Sequence, residues 1–264
     1  MPEKEQPCRE PLVLLPGMMC DGRIFEEQIR TFSGSMPVMV LPLAGGSTVA
    51  EIAEQMLGHL PPRFALVGYG MGGVVALELI RRAPQRISRL CLMAVSPLAD
   101  TPLQAADREP QIVAARAGRL ADVLPALMPL EALAPGPRRQ EIHDRWLQMA
   151  QALGPELFVT QARLMQRRPD QQAVLRRIHV PALALCGAED PLAPVCKHEL
   201  LAQMMPQGRL EVVENAGHLP LLEQPAVVNR ALLHWLAMPN RAEMPRPVIV
   251  SDAHSGAGAA GAYG

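Results

Sequence analysis

No charge of one sign dominates this sequence. Twenty-five lysines and arginines stand against 26 aspartates and glutamates, a formal charge of −1, so the balance gives no sign of a nucleic-acid or membrane-surface partner. The expected ligand is small. The five cysteines (Cys8, Cys20, Cys91, Cys186, Cys196) are odd in number, lack C-x-x-C spacing and mostly lie inside apolar runs, which argues against a disulfide framework and a zinc site. They read as reduced core thiols, and no metal or other cofactor is expected. No run approaches the roughly 18 apolar residues of a membrane span, and the polar start MPEKEQPCRE has no apolar signal segment. A cytoplasmic protein is the expectation. No internal repeat interrupts the chain.

What the sequence does have is apolar content, 49% of 264 residues, enough to bury a large core in one α/β unit. Short, continuous apolar runs recur at 11–16, 37–43, 64–68, 90–95, 182–186 and 210–213. Continuity rather than alternation is expected of strands buried on both faces of a parallel sheet. Helical patterns lie between them. Thr48-Val-Ala-Glu51 reads as a capping box opening a helix with Val49, Ile52, Ala53, Met56 and Leu60 on one face. Pro225 begins another, with Val228, Leu232 and Trp235 on one stripe before Pro239. The alternation predicts an α/β fold, a mainly parallel central sheet with helices on both faces.

From about Pro97 to His179 the pattern is helical throughout, with helices expected over 112–120, 141–153 and 157–167. The division that follows is a core of 1–97 and 178–238, an inserted helical lid at 98–177 over the sheet's carboxyl edge, and a flexible tail at 239–264.

The stretch VGYGMGG (67–73) satisfies two incompatible patterns. Glycines 68, 70 and 73 fit the dinucleotide fingerprint G-x-G-x-x-G, while the same letters miss the nucleophile elbow G-x-S-x-G-G by one residue, at Gly70. In both, a strand (FALVG) runs into a tight turn and a helix over 74–83, so distant residues must decide. The dinucleotide pattern needs an acid about 20 residues on, at the end of the next strand. That strand ends Val95-Ser96-Pro97, and Asp100 arrives too late. The hydrolase pattern needs an acid after a later strand, a histidine after the next and an oxyanion turn after an early one. PALALCGAEDPLAP supplies Asp190, LEVVENAGHLPLLEQP supplies His218, and PLVLLPGMMCDGRIF supplies Gly17 and Met18.

On these motifs the chain resembles α/β-hydrolase-fold proteins of the esterase and lipase type, from about Pro11 to Leu236. The resemblance implies His218 as general base, Asp190 as its orienting acid, and the Met18 and Met71 amides as the oxyanion hole. It implies Met19 and Leu219 beside a small apolar ester or acyl substrate, with Met18 and Met71, and Gly68, Gly72 and Gly73 as the small residues of the elbow. Gly70 stands at the nucleophile position and supplies no hydroxyl. Asp100 is the reserve acid, Asp190 having a second use as a helix cap. Cys20 and Ser96 lie near the site but lack an activating base or an elbow. Arg163, Arg167 and Arg168 in the lid have two readings, as partners of a carboxylate or as solvated helix-face residues, and the second is preferred.

Three functions fit. One is an acyl hydrolase framework impaired at Gly70, whether engineered or naturally lost. Another is a binding or scaffolding protein that keeps the pocket, and the third an enzyme that uses His218 and Asp190 for acid–base chemistry without an acyl-enzyme.

Overall fold

The computed structural model describes residues 10–240. Cys8 and all but the first two residues of the expected tail lie outside them. In chain order the elements are β1 (Leu12–Leu15), α1 (Glu26–Phe32), β2 (Val38–Val40), α2 (Val49–Leu57), β3 (Phe64–Tyr69), α3 (Met71–Arg82) and β4 (Ile87–Met93). Then come α4 (Pro102–Arg116), α5 (Leu120–Leu127), α6 (Arg139–Gln166), α7 (Gln172–Leu175), β5 (Ala182–Gly187), α8 (Val195–Met204), β6 (Gly208–Val213), α9 (Pro220–Glu223) and α10 (Pro225–Leu236).

The six strands form one sheet in the order β2-β1-β3-β4-β5-β6, every pair parallel. Each apolar run of the sequence overlaps one of these strands. β1, β3 and β5 are buried along their whole length, as a sheet covered on both faces requires. One apolar layer packs Leu12, Leu14, Val67 and Met93 against Phe25, Trp146 and Trp235. The other packs Val13, Leu15, Leu66 and Leu92 against α2 and α3.

Boundaries shift where local chemistry overrides the apolar pattern. β4 stops at Met93 rather than Val95 because Ala94 takes φ 51 and leaves the strand. β2 ends at Val40, two residues before Pro42, which lacks an N–H for the ladder. At Thr48 the expected capping box is only half formed. Its hydroxyl accepts the Glu51 N–H at 3.1 Å, but Glu51 accepts from Ser47, not Thr48. Leu60 lies beyond the end of α2 and is still buried. A complete box opens α4 instead, between Thr101 and Gln104.

α4 to α6 form a helical insertion between β4 and β5. α4 begins ten residues before the expected start at 112, with Pro102 in its first turn. The two later helices expected here are the two halves of α6, which meet at a kink where Gly154 is non-helical (φ 83, ψ 169), with Pro155 following. α1 had no distinct signal in the sequence, and the helix expected to start near Pro191 begins at Val195 as α8.

Candidate active site

The carboxyl edge of the sheet is where the backbone is most strained. β1, β3, β4 and β6 are each followed by a residue of positive φ: Met19 (54°), Gly70 (52°), Ala94 (51°) and Asn215 (54°). Three of these are not glycine, and such conformations cluster where function over-determines the backbone.

β3 runs directly through Gly70 into α3. Gly70 is the N-cap at φ 52, ψ −119, its N–H bonded to Met93 O at 2.8 Å and its carbonyl accepting from Gly73 N at 3.0 Å. A turn this sharp brings strand and helix backbones together. A Cβ on Gly68 would stand 2.6 Å from Gly72 O, so only glycine fits there. At Gly70 itself a Cβ would meet nothing nearer than Gly17 Cα at 3.5 Å. There is room for a side chain at this position, and the backbone angle alone disfavours one. Among the described residues the Met18 and Met71 amides donate to no protein acceptor, and both residues border the same cavity as Gly70.

His218 and Asp190 meet across the loops that follow β6 and β5. His218 Nδ1 lies 2.8 Å from Asp190 Oδ2, while Asp190 Oδ1 accepts the Leu192 and Ala193 N–H groups at 2.8 and 2.9 Å. The carboxylate thus serves the histidine with one oxygen and caps a turn with the other. Burial works to raise its pKa. The hydrogen bond and charge of His218 and the two amides outweigh that and leave it below the ordinary 3.8, so it is ionised at neutral pH.

Three further contacts hold this histidine. Its N–H donates to Ala132 O at 2.7 Å. Tyr69, buried at the end of β3, donates its hydroxyl to His218 O at 3.0 Å. Glu223, on α9, accepts the N–H groups of both neighbours, Gly217 (2.8 Å) and Leu219 (2.9 Å), and of Ala134 in the insertion (2.8 Å). Burial raises the Glu223 pKa, and the three amides offset only part of that.

Gly70, Met18, Met71, Tyr69 and His218 border one cavity of about 460 Å³, covered from the insertion by Leu127, Met128, Trp146 and Met165. This is within the usual range for a small-molecule site. A smaller cleft at Pro181, Gln207 and Pro239 lies at the amino end of the strands and contains none of these groups.

Several expectations are corrected. Met19 and Leu219 are wholly buried and neither borders the cavity. Met19 turns into the core because Gln161 of α6 fixes its backbone, accepting the Met19 N–H at 2.8 Å and donating to Leu43 O at 3.1 Å. Asp100 makes no bond to His218; Arg108 and Arg168 occupy its carboxylate at 2.6 and 3.0 Å. Arg168 is accordingly no solvated helix-face residue, its side chain being 10% exposed and on the cavity, whereas Arg163 pairs with Glu109. Cys20 is buried, which pushes its thiol up to about 12, so it holds no thiolate at neutral pH. Among the described residues no group of three or more His, Cys, Asp or Glu could hold a metal, and no helix is long and apolar enough to cross a membrane.

A covered parallel sheet, a glycine-flanked elbow and an Asp–His pair at its carboxyl edge define the architecture of an α/β hydrolase. The chain belongs to the alpha/beta hydrolase family, matching it over residues 12–231. It is similar to the pimeloyl-[acyl-carrier protein] methyl ester esterase of Aromatoleum aromaticum, 31% identical over 205 residues, covering 69% of this chain and 77% of that protein. The esterase of the same name from Vibrio parahaemolyticus is 25% identical, covering 81% of this chain and 89% of its own length. Among solved structures, a thermophilic esterase from Thermogutta terrifontis with malate bound superposes with a TM-score of 0.78 at 25% identity, covering 87% of this chain and 90% of that one.

Proposed function

We propose that this chain is the framework of a carboxylic-ester hydrolase with every part of the serine mechanism in place except the nucleophilic oxygen. The observation that carries the reading is the 2.8 Å contact between His218 and Asp190 on the same cavity as a Gly70 that keeps an elbow conformation. In this reading His218 Nε2 is the base facing position 70, and Asp190 fixes its tautomer and stabilises the imidazolium. The Met18 and Met71 amides are the donors for a developing oxyanion. The similarity to methyl ester esterases supports an ester as the class of compound bound, with 98–177 acting as the lid.

Without a hydroxyl at position 70 no acyl-enzyme forms. Hydrolysis is then limited to attack by a water that His218 activates, a far slower route. The test compares p-nitrophenyl acetate and butyrate hydrolysis by the chain as written, by Gly70→Ser, and by Gly70→Ser/His218→Ala. Serine should raise the rate by at least about a thousandfold, on the scale seen when a nucleophile is removed from a serine hydrolase, and the double variant should lose that gain. A folded Gly70→Ser protein with no gain would sink the reading and favour a binding protein.

A further inference from the structure

The cavity shared by Gly70 and His218 is also lined by Arg108, Arg168, Lys197 and Asp100, charged groups for which ester chemistry has no use. Three cations face the one acidic side chain in the lining. Asp100, whose side chain is 2% exposed, bridges the two guanidinium groups, Oδ2 to Arg108 Nε and Oδ1 to Arg168 Nη2. Arg168 is further fixed by donating its Nε–H to Leu98 O at 2.8 Å. The arginines are therefore held in place, but their charge is only half neutralised.

Donor capacity remains as well as charge. Among the described residues, Asp100 is the only hydrogen-bond acceptor for Arg108, through Nε alone, so its Nη groups are uncommitted. Lys197 forms no ion pair among the described residues, and the hydroxyl-bearing Ser96 and Thr101 border the same space. Burial is the first influence on Arg168, lowering its pKa; the Arg108 charge adds to it and Asp100 alone opposes. Cations in a partly dry site with one shared counter-charge are an unfavourable arrangement for stability alone. A bound anion would relieve it. The partner already between the two arginines is a carboxylate, which matches the planar guanidinium fork.

We propose that Arg108, Arg168 and Lys197 form an anion subsite in this cavity, and that the compound it takes is an ester carrying a second, ionised carboxylate, a half-ester of a dicarboxylic acid. The ester half of this statement rests on the hydrolase reading above; the anion half does not.

Isothermal titration of the protein as written, with the monomethyl and dimethyl esters of glutaric, adipic and suberic acids, tests it. For at least one chain length the half-ester should bind about tenfold or more tightly than its neutral diester, as a charge-assisted contact to arginine allows. Arg108→Gln and Lys197→Met should each shrink that preference by about threefold or more, and raised salt should weaken the contribution of half-buried Lys197 in particular. Arg168→Gln should do the same; if its loss unfolds the chain, the two less buried positions still decide. Equal binding of half-ester and diester at every length, or no half-ester binding at all, overturns the subsite. So does a preference that survives Arg108→Gln and Lys197→Met together. The two readings fail separately. A half-ester preference in a protein whose Gly70→Ser variant hydrolyses nothing keeps the subsite and removes the ester chemistry. A Gly70→Ser esterase indifferent to the second carboxylate does the reverse.

Discussion

Gly70 holds φ 52, ψ −119 with nothing crowding the place of its missing side chain. A Cβ there meets backbone strain but no clash, so a small residue costs about 1–3 kcal/mol. Urea unfolding of Gly70→Ala should therefore show a loss of that size, and Gly70→Ser a similar one; an unchanged or raised midpoint for Gly70→Ala would mean that the turn is not strained. Activity and stability then move in opposite directions at this residue. The Asp190–His218 pair was legible in the sequence because each stands a few residues beyond an apolar run, in the chain order that the elbow at 67–73 calls for. Tyr69, Glu223 and the Arg108–Asp100–Arg168 cluster were not. Tyr69 acts on a carbonyl 149 positions away and Glu223 on an amide 89 away, and Arg168 is drawn from solvent by an aspartate 68 residues earlier. No local pattern encodes such pairings.

At the scale of elements, the strands could be read because burial on both faces leaves an unbroken apolar run. Their ends could not, since single residues such as Ala94 and Pro42 set them. The insertion was legible as helical, and so was the division of α6 into two helices, expected over 141–153 and 157–167 and separated by the non-helical Gly154. α6 bends at Gly154, and beyond the bend Gln161 accepts the Met19 N–H in the turn after β1 with Oε1 and donates from Nε2 to Leu43 O in the loop after β2. That one buried side chain ties the insertion to the turn bearing Met18. Gln161→Leu would leave the Met19 N–H and the Leu43 carbonyl without partners, at a cost of about 1–3 kcal/mol for each buried group. A lowered urea midpoint is expected, and in the Gly70→Ser background a fall in kcat exceeding any change in KM, because the turn proposed to hold the oxyanion loses its support. A variant as stable as its parent would show that water replaces the amide.

For the molecule as a whole, the all-parallel sheet gathers the ends of its strands at one edge, and residues from distant parts of the chain meet there by topology alone. β3 brings Gly70, β5 brings Asp190 and β6 brings His218 to that edge. The sequence showed the alternation that produces such an edge but not what closes over it. Glu223 is the link. By accepting the amides of Gly217, Leu219 and Ala134, one carboxylate clamps the histidine loop and the base of the insertion as a single mechanical part. Hydrogen exchange should find these three amides opening together with one free energy, and Glu223→Ala should release all three at once; independent rates would separate the parts. A ligand cannot then pass beneath Ala132–Ala134 without unseating His218.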